Sequence, residues 1–450
     1  MPRRRRAHTP DGPPFVGDLV ELDAGPIVFG GASLSRLDDG RVVFVSFAVP
    51  GERVEVRVEK THADYLEGAV ERVLTPAPGR VEPRCGLFGQ CGGCQLQHMA
   101  YPDQLTAKEA IVREQLERIG HLDPSVVRPI RGAAKPWGYR NHARFSTGHT
   151  FGDLGFVHRR GRGLLTVESC PIAHPMVNAI LPRLQRLGKG LHQVQVRCSE
   201  ATGSVLINPA VPGAPMETGQ REYTERLAGH DFVVADSAFF QVNSAQAEVM
   251  IELIGGALPE RGRLLVDGFA GVGTFAVIFA ERFERVIAIE ESASAARHAA
   301  VNLAQAPNVE MLTGKVETVL PDLGLAPDAV VLDPPRPGCA PPVIEALTKS
   351  RPATIVYVSC NPSTLARDLR LLVDGGYRLD WVTPLDMFPQ TGHIECVTKL
   401  SALGRPALTP GPSPDSAGEG SDPGPFGTTG ASSTVLDLGG PTKSTTGSLS

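Results

Sequence analysis

Residues 264–275 read LLVDGFAGVGTF, an apolar run that breaks into a glycine-rich turn and resumes as a helix-compatible segment. Gly271 and Gly273 let the backbone approach a ligand closely, because glycine carries no Cβ. Toward the C-terminus the alternation repeats. A helix is expected to run to Phe283, RVIAIE (285–290) is the next strand, and a second helix runs to Ala304. DAVVLDPP (328–335) and ATIVYVSCN (353–361) follow as further apolar strands. Apolar strands alternating with helices build a parallel, doubly wound sheet, whose ligands sit at the carboxyl ends of the strands. Asp267 and Glu290 stand at the first two of those ends, and a carboxylate there accepts the hydroxyls of a ribose. This much suits adenosylmethionine and NAD equally.

The third strand end separates the two. It reads LDPPRPG (332–338), and an Asp-Pro-Pro loop at this position is a feature of methyltransferases: Asp333 pairs with a polar edge of cofactor or base, and the prolines stiffen the loop. The following strand delivers Cys360, in IVYVSCNPSTLARDL, to the same edge. Carbon 5 of uracil is too poor a nucleophile to attack a sulfonium methyl. Addition of a thiolate at carbon 6 turns the ring into an enolate whose carbon 5 can. The carbon-5 proton must then leave before the thiol is expelled, which requires a base. Glu395 in QTGHIECVTKL is the candidate, with His393 as runner-up.

The segments DGFAGVGTF, LDPPRPG, SCNPSTLARD and HIECVTKL, in this order, closely resemble the RNA (uracil-5-)-methyltransferase family, over roughly residues 15–400. The resemblance is to its iron–sulfur, TRAM-domain-containing 23S rRNA 5-methyluridine type. It implies a Rossmann-like class I methyltransferase domain with Cys360 as nucleophile and Glu395 as proton acceptor. It also implies contacts to adenosylmethionine from Gln241 (in AFFQVN), Phe269, Glu290 and Asp333. Thr274 departs from the family, many members of which carry Asn after GxG; a cofactor contact is lost there, not the chemistry. The region near Lys315–Glu317 matches no family cofactor position clearly.

Upstream, residues 15–74 hold short strand-like runs (GDLVELDA, RVVFVSFAV, ERVEVRVEK, EGAVERVL) with turns at Asp38-Asp39-Gly40 and Pro50-Gly51, the pattern of a small β-barrel. These strands resemble a TRAM domain, an OB-like RNA-binding barrel. After the linker TPAPGRVEPR comes Cys85-x5-Cys91-x2-Cys94, a close group of three thiols on a glycine-rich loop (CGLFGQCGGC), with Cys170 in ESCPIAH as the natural fourth. Four ligands suit tetrahedral zinc, for which His98 or His174 would also serve, or a cubane cluster. Three close cysteines and a distant one fit a [4Fe–4S] cluster, and the family resemblance implies that cluster on Cys85, Cys91, Cys94 and Cys170. Its role would be structural or RNA-positioning, since methyl transfer is redox-neutral. Residues 103–119 carry apolar positions at helical spacing, and 125–235 mix strands and loops.

The 450-residue chain is too long for one core. The expected organisation is a basic, disordered leader (1–14), the barrel (15–74), a central α+β iron–sulfur and RNA-binding domain (75–235), the methyltransferase domain (236–404) and a disordered Pro/Gly/Ser/Thr-rich tail (405–450). No stretch approaches the roughly 18 unbroken apolar residues of a membrane span, and the basic opening MPRRRR leads into no apolar signal core, so a cytoplasmic monomer is expected. A net charge of −5 hides a basic stretch between Arg128 and Gly163, with Arg128, Arg131, Lys135, Arg140, Arg144, Arg159, Arg160 and Arg162 against one acid, Asp153. Trp137, Tyr139, Phe145, Phe151 and Phe156 are interleaved with them, either as stacking faces for single-stranded RNA or as aromatics turned to a core.

RNA is therefore the expected partner, ribosomal RNA ahead of transfer RNA. The alternatives are a transfer-RNA 5-methyluridine enzyme, a cytosine-5 methyltransferase, and an iron–sulfur RNA-binding or electron-transfer protein without methyl transfer. An amino-group methyltransferase would want an aromatic after Asp-Pro-Pro, where Arg336 stands.

Overall fold

The computed structural model describes residues 15–148, 151–161 and 163–404. The expected leader, the tail and Arg162 lie outside the described residues. Among the described residues no helix is long and apolar enough to cross a membrane.

Five strands open the chain: β1 (Leu19–Asp23), β2 (Ser33–Arg36), β3 (Val42–Ser46), β4 (Arg53–Thr61) and β5 (Tyr65–Thr75). In β4 the fully buried Val54, Val56 and Val58 alternate with Arg53, Glu55, Arg57 and Glu59, the period-two signature of a half-buried strand. The sheet order is β1-β4-β5-β3-β2, register shifts between β4 and β5 bend it, and the two edge strands touch, so the sheet curls around Val43, Val45, Val54 and Leu66 as an OB-like barrel. The short β2 (SLSR), with no apolar alternation to announce it, was not among the strands expected from sequence.

After α1 (Tyr101–Arg118) come β6 (His142–Thr147), β7 (Leu154–Val157), β8 (Leu164–Thr166), α2 (Pro175–Leu184), β9 (Gln193–Cys198) and β10 (Val205–Asn208). The strands form an antiparallel sheet, β10-β9-β6-β7-β8, on which Val177, Leu181 and Leu184 of α2 pack. A hairpin of β11 (Glu222–Leu227) and β12 (His230–Ala235) leads into α3 (Ser244–Ala257).

The remaining elements are β13 (Gly262–Gly268), α4 (Thr274–Ile278), β14 (Phe283–Glu290), α5 (Ala293–Leu303), β15 (Val309–Thr313), α6 (Val316–Asp322), β16 (Ala329–Leu332), α7 (Pro341–Ser350), β17 (Thr354–Ser359), α8 (Pro362–Asp374), β18 (Tyr377–Leu385) and β19 (Glu395–Ala402). Their seven strands run in the order β15-β14-β13-β16-β17-β19-β18, with β19 antiparallel to both neighbours. Successive residues of a central strand serve opposite cores: Leu265, Val331 and Val356 one, Val266, Val330 and Ile355 the other. Burial on both faces is why these strands read as unbroken apolar runs. The chain reverses direction across the sheet between β13 and β16, and a crevice opens there at the carboxyl ends.

One expectation is revised. The helix after the glycine turn ends at Ile278, and after a single 3-10 turn Phe283 already opens β14. Phe283 lies opposite Gly262, where any Cβ would sit 2.6 Å from its ring, so the aromatic is claimed by the sheet. The cores run across the sequence blocks. Ile111, Val112 and Leu116 of α1 share a core with Leu365, Leu369 and Leu372 of α8, and the β11–β12 hairpin packs with α3, so both pieces of the expected central block cover the C-terminal sheet.

Candidate active site

The carboxyl edge of the sheet carries two adjoining half-sites. On one side, β13 leads into the glycine turn with Phe269 at φ 67°, a left-handed conformation costly for a side chain of that size. Gly271 (φ 57°) and Gly273 (φ 83°) follow, and the Glu290 carboxylate accepts the Gly271 N–H at 2.9 Å. Asp267 is fully buried; one oxygen accepts the Ala276 N–H at 2.9 Å and the other has no partner. Burial, opposed by that hydrogen bond, raises its pKa to about 8. Gln241, Phe269, Thr274 and Asp333 line one cavity together with Phe239, whose ring is 71% exposed at its mouth. Gln241 turns a buried Oε1 that has no partner. Buried acceptors without donors, a glycine-lined turn and aromatic walls fit a nucleoside with hydroxyls and an ammonium group. Gln241, Phe269 and Asp333, which line the cavity, would hold it, while Glu290 is not in its lining and its two oxygens accept the Gly271 and Ser292 N–H groups.

On the other side, Cys360 follows β17 and Glu395 opens β19. The antiparallel register that pairs Ser359 with Cys396 sets Cys360 and Glu395 on adjacent strands, one step further along. Glu395 is 6% exposed, and Cys360 is half-buried. Burial and then the charges of Glu395 and Asp333 push the Cys360 thiol up to about 11, while the Arg336 guanidinium, within hydrogen-bond reach, pulls it down. Burial and Asp333 hold Glu395 well above the usual carboxylate range, again against Arg336. Burial raises Asp333 to about 6. His393, lowered to about 4 by burial and the cations around it, accepts a hydrogen bond from Arg336 at 2.8 Å through Nδ1, so its ring is neutral and serves as an acceptor.

The turn and helix that follow Cys360 hold this arrangement together. Asn361 caps α8 through the Ser363 N–H, and its Nδ2 donates to the Arg336 carbonyl at 3.1 Å. Thr364 Oγ1 donates to the same carbonyl at 3.1 Å, and Arg367 donates to the Pro337 carbonyl at 2.9 Å. Asp368 accepts the Cys339 N–H at 2.8 Å and the Tyr357 hydroxyl at 2.7 Å. The SCNPSTLARD segment thus clamps the LDPPRPG loop, which is why the two motifs occur as a set. Arg336 is the residue sequence reasoning underused. Its place after Asp-Pro-Pro is visible, but only the fold shows that its head group reaches the thiol.

A separate cavity of about 500 Å³ is lined by Cys85, Cys91, Cys94 and Cys170, all free thiols. Three come from the loop after the barrel, and the fourth is fixed by Asn178, which accepts the Cys170 N–H at 2.8 Å and donates to its carbonyl at 3.0 Å. Burial pushes Cys94 up to about 12 and also raises Cys91 and Cys170. Among the described residues no group of three or more Cys, His, Asp or Glu converges on a single metal ion. The two histidines that would have suited zinc are elsewhere: His98 contacts the Ala48 carbonyl, and His174 caps α2 and contacts Cys198.

The basic, aromatic stretch divides between the two readings given for it. Phe145 (0% exposed) and Tyr139 lie in the interior, the latter donating to the Pro389 carbonyl at 2.9 Å, and Trp137 stacks under Arg84. Phe151, 72% exposed, is the one left as an open stacking face.

The family model of tRNA (uracil-5-)-methyltransferases matches residues 222–317 and 322–402, and that of the TRAM domain matches 23–70. A protein of Gloeobacter violaceus named an uncharacterized RNA methyltransferase is 33% identical over 85% of this chain and 96% of its own length. One of the same name from Synechocystis is 34% identical over 86% and 96%. Among solved structures, the Pyrococcus abyssi tRNA (uracil-54, C5)-methyltransferase, in complex with S-adenosyl-L-homocysteine, shares the fold with a TM-score of 0.67 at 24% identity, over 84% of this chain and all of that one.

Proposed function

Because the chain belongs to the tRNA (uracil-5-)-methyltransferase family and is an S-adenosylmethionine-dependent RNA methyltransferase, we propose that it methylates carbon 5 of a uridine, in 23S rRNA, through a covalent adduct of Cys360 with carbon 6. The observation that carries this reading is the pairing of Cys360 with Glu395 on adjacent strands, beside the cavity of Gln241, Phe269 and Asp333.

Cys360 adds as the thiolate, and Arg336 favours that form. Addition makes carbon 5 nucleophilic; adenosylmethionine, when bound, supplies the electrophilic methyl. Carbon 5 then bears both the methyl and its original hydrogen. Glu395, once ionised, takes that proton, and its raised pKa makes it a stronger base than an exposed carboxylate. The electrons of the broken C–H bond re-form the 5,6 double bond and expel the Cys360 thiolate. The target must be splayed from its stack to admit the thiol, so a loop uridine is favoured.

Cys85, Cys91, Cys94 and Cys170 would hold a [4Fe–4S] cluster. All four thiols line one cavity of about 500 Å³, and three close cysteines with a distant fourth is the spacing that supports a cluster over zinc. A ribosomal target is favoured by the combination of the barrel with this thiol pocket, and a transfer RNA by the name of the matching family model.

Incubation of the Glu395→Gln protein with total RNA and adenosylmethionine tests the mechanism. A slow, covalent protein–RNA band on a denaturing gel is expected, lost when Cys360→Ala is added, and the trapped RNA names the target. Normal turnover by Glu395→Gln would overturn the assignment of the base.

A further inference from the structure

Residues 386–394 carry the chain from β18 to Glu395, and the N-terminal half of the protein grips them at nearly every step. Lys108 of α1, itself buried, donates to Asp386 at 2.6 Å and to the Phe388 carbonyl at 3.2 Å. Gln104 donates to Gln390 Oε1 at 3.0 Å and accepts its N–H at 3.1 Å, and Gln390 sits at φ 70°, a strained position held by these bonds. The thiol loop makes the closest grip. Gln95 and Leu96, the two residues after Cys94, donate their N–H groups to the Gln390 carbonyl at 3.1 and 3.0 Å. The Gln95 side chain accepts the Gly392 N–H at 3.2 Å.

The barrel meets the same point. Gly30 donates to the Gly392 carbonyl at 3.4 Å, a Cβ on Gly392 would fall 2.3 Å from the Gly30 carbonyl carbon, and one on Gly31 would fall 2.8 Å from Gln95 Cβ. Barrel, thiol loop and base-bearing loop are thus in backbone contact three residues before Glu395, and Thr391 and His393 line the thiol cavity itself.

We propose that Gln95 is a positioning residue for the catalytic base: its side chain holds Gly392 while its backbone N–H holds the Gln390 carbonyl, fixing the 386–394 loop, so that the order of the cysteine loop is read at Glu395. This inference rests on the adduct mechanism above. A base displaced by a fraction of an ångström slows proton removal while leaving attack and methyl transfer nearly intact, because those steps use Cys360 on the rigid end of β17. Misplacement by about 1 Å can cost on the order of a hundredfold in a catalysed step.

The test compares Gln95→Ala, Gln95→Glu and Glu395→Gln with the native protein on one RNA. Gln95 is only half-buried, so its replacement should leave thermal unfolding unchanged. Its Nε2 also donates to the Gly92 carbonyl at 3.0 Å, between Cys91 and Cys94, so iron content is measured on every variant and the comparison is made at equal iron. Gln95→Ala should lower kcat about tenfold with little change in the KM for RNA, and the covalent adduct should build up during turnover. Gln95→Glu keeps an acceptor for the Gly392 N–H and should restore release. If Glu395→Gln traps adduct but Gln95→Ala does not, or if Gln95→Glu behaves like Gln95→Ala, the positioning role is overturned. If Glu395→Gln itself traps nothing, it is the underlying mechanism that fails.

Discussion

Cys360 and Cys94 are both incompletely exposed thiols that burial pushes above their ordinary pKa, to about 11 and about 12. Cys94 lies the deeper of the two, and their company differs more. Cys360 stands beside a guanidinium and two carboxylates at the end of a rigid parallel strand. Cys94 faces three other thiols across a cavity walled by the cysteine loop and by β6 and β7. A lone thiol with a cation at hand is suited to nucleophilic attack, whereas a closed set of thiols is suited to ligation, where the bound metal does the deprotonating. What surrounds a cysteine, more than how deeply it lies, separates the two uses.

The sharpest way to break the comparison is to remove each thiol in turn. Cys360→Ala should cost on the order of 10⁴-fold or more in product formation, with iron content and unfolding unchanged. Cys94→Ser should do the reverse: iron falls to background and stability drops by about 3 kcal/mol or more, because binding energy in a loop-built site is folding energy. Residual methylation by this variant should remain measurable, since no step of the chemistry passes through the pocket. Metal analysis and denaturant unfolding on the two proteins check both statements. A Cys360→Ala protein that also loses iron would merge the two sites and undo the distinction.

The two regions were also unequally legible in the sequence. The strand ends of the C-terminal sheet could be located because each apolar run is buried on both faces and stops where the site begins, so Cys360 and Asp333 followed from the pattern. Glu395 came instead from the chemistry's need for a base and from the family resemblance, for its place beside Cys360 depends on β19 inserting antiparallel between β17 and β18, a pairing that leaves no local trace. Arg336 was noticed only for not being aromatic, because its reach to the thiol depends on hydrogen bonds from Asn361 and Thr364. The thiols that share the pocket could be grouped from their spacing and the family resemblance. Its connection to the base through Gln95, Gln104 and Gln390 lies in side chains with no motif, brought together across almost 300 positions. The helix expected to reach Phe283 failed because periodicity cannot say where a neighbouring glycine makes room for a ring.

A smaller effect is expected where the electrostatics differ. Below a pKa near 11 the thiolate fraction of Cys360 rises about tenfold per pH unit, so the rate of adduct formation should climb across pH 7–9. Arg336 lowers that pKa, and its loss raises it further, which moves the climbing limb to higher pH. Arg336→Ala should therefore slow adduct formation by roughly 10–100-fold at neutral pH, with Arg336→Lys in between. Alkylation of Cys360 by iodoacetamide against pH, without RNA, decides the point: alkylation as fast as in the native protein, with adduct formation slowed, would assign the guanidinium to the substrate instead of the thiol.

The smallest effect belongs to a cysteine in neither class. Cys198 is fully buried at the end of β9, its thiol 3.6 Å from the Asn141 carbonyl and 3.6 Å from His174 Nδ1. Burial raises its pKa to about 12, as for Cys94, but it has neither a cation to favour the thiolate nor other thiols to share a metal. A buried thiol without such company acts as a small apolar side chain. Cys198→Ala should cost about 1–2 kcal/mol, for a small cavity and two weak sulfur hydrogen bonds. Adduct formation, release and iron content should all stay at native levels. Loss of iron on this substitution would mean that the pocket is held by the packing of the central sheet, and that company within the cavity is not enough to define a ligand.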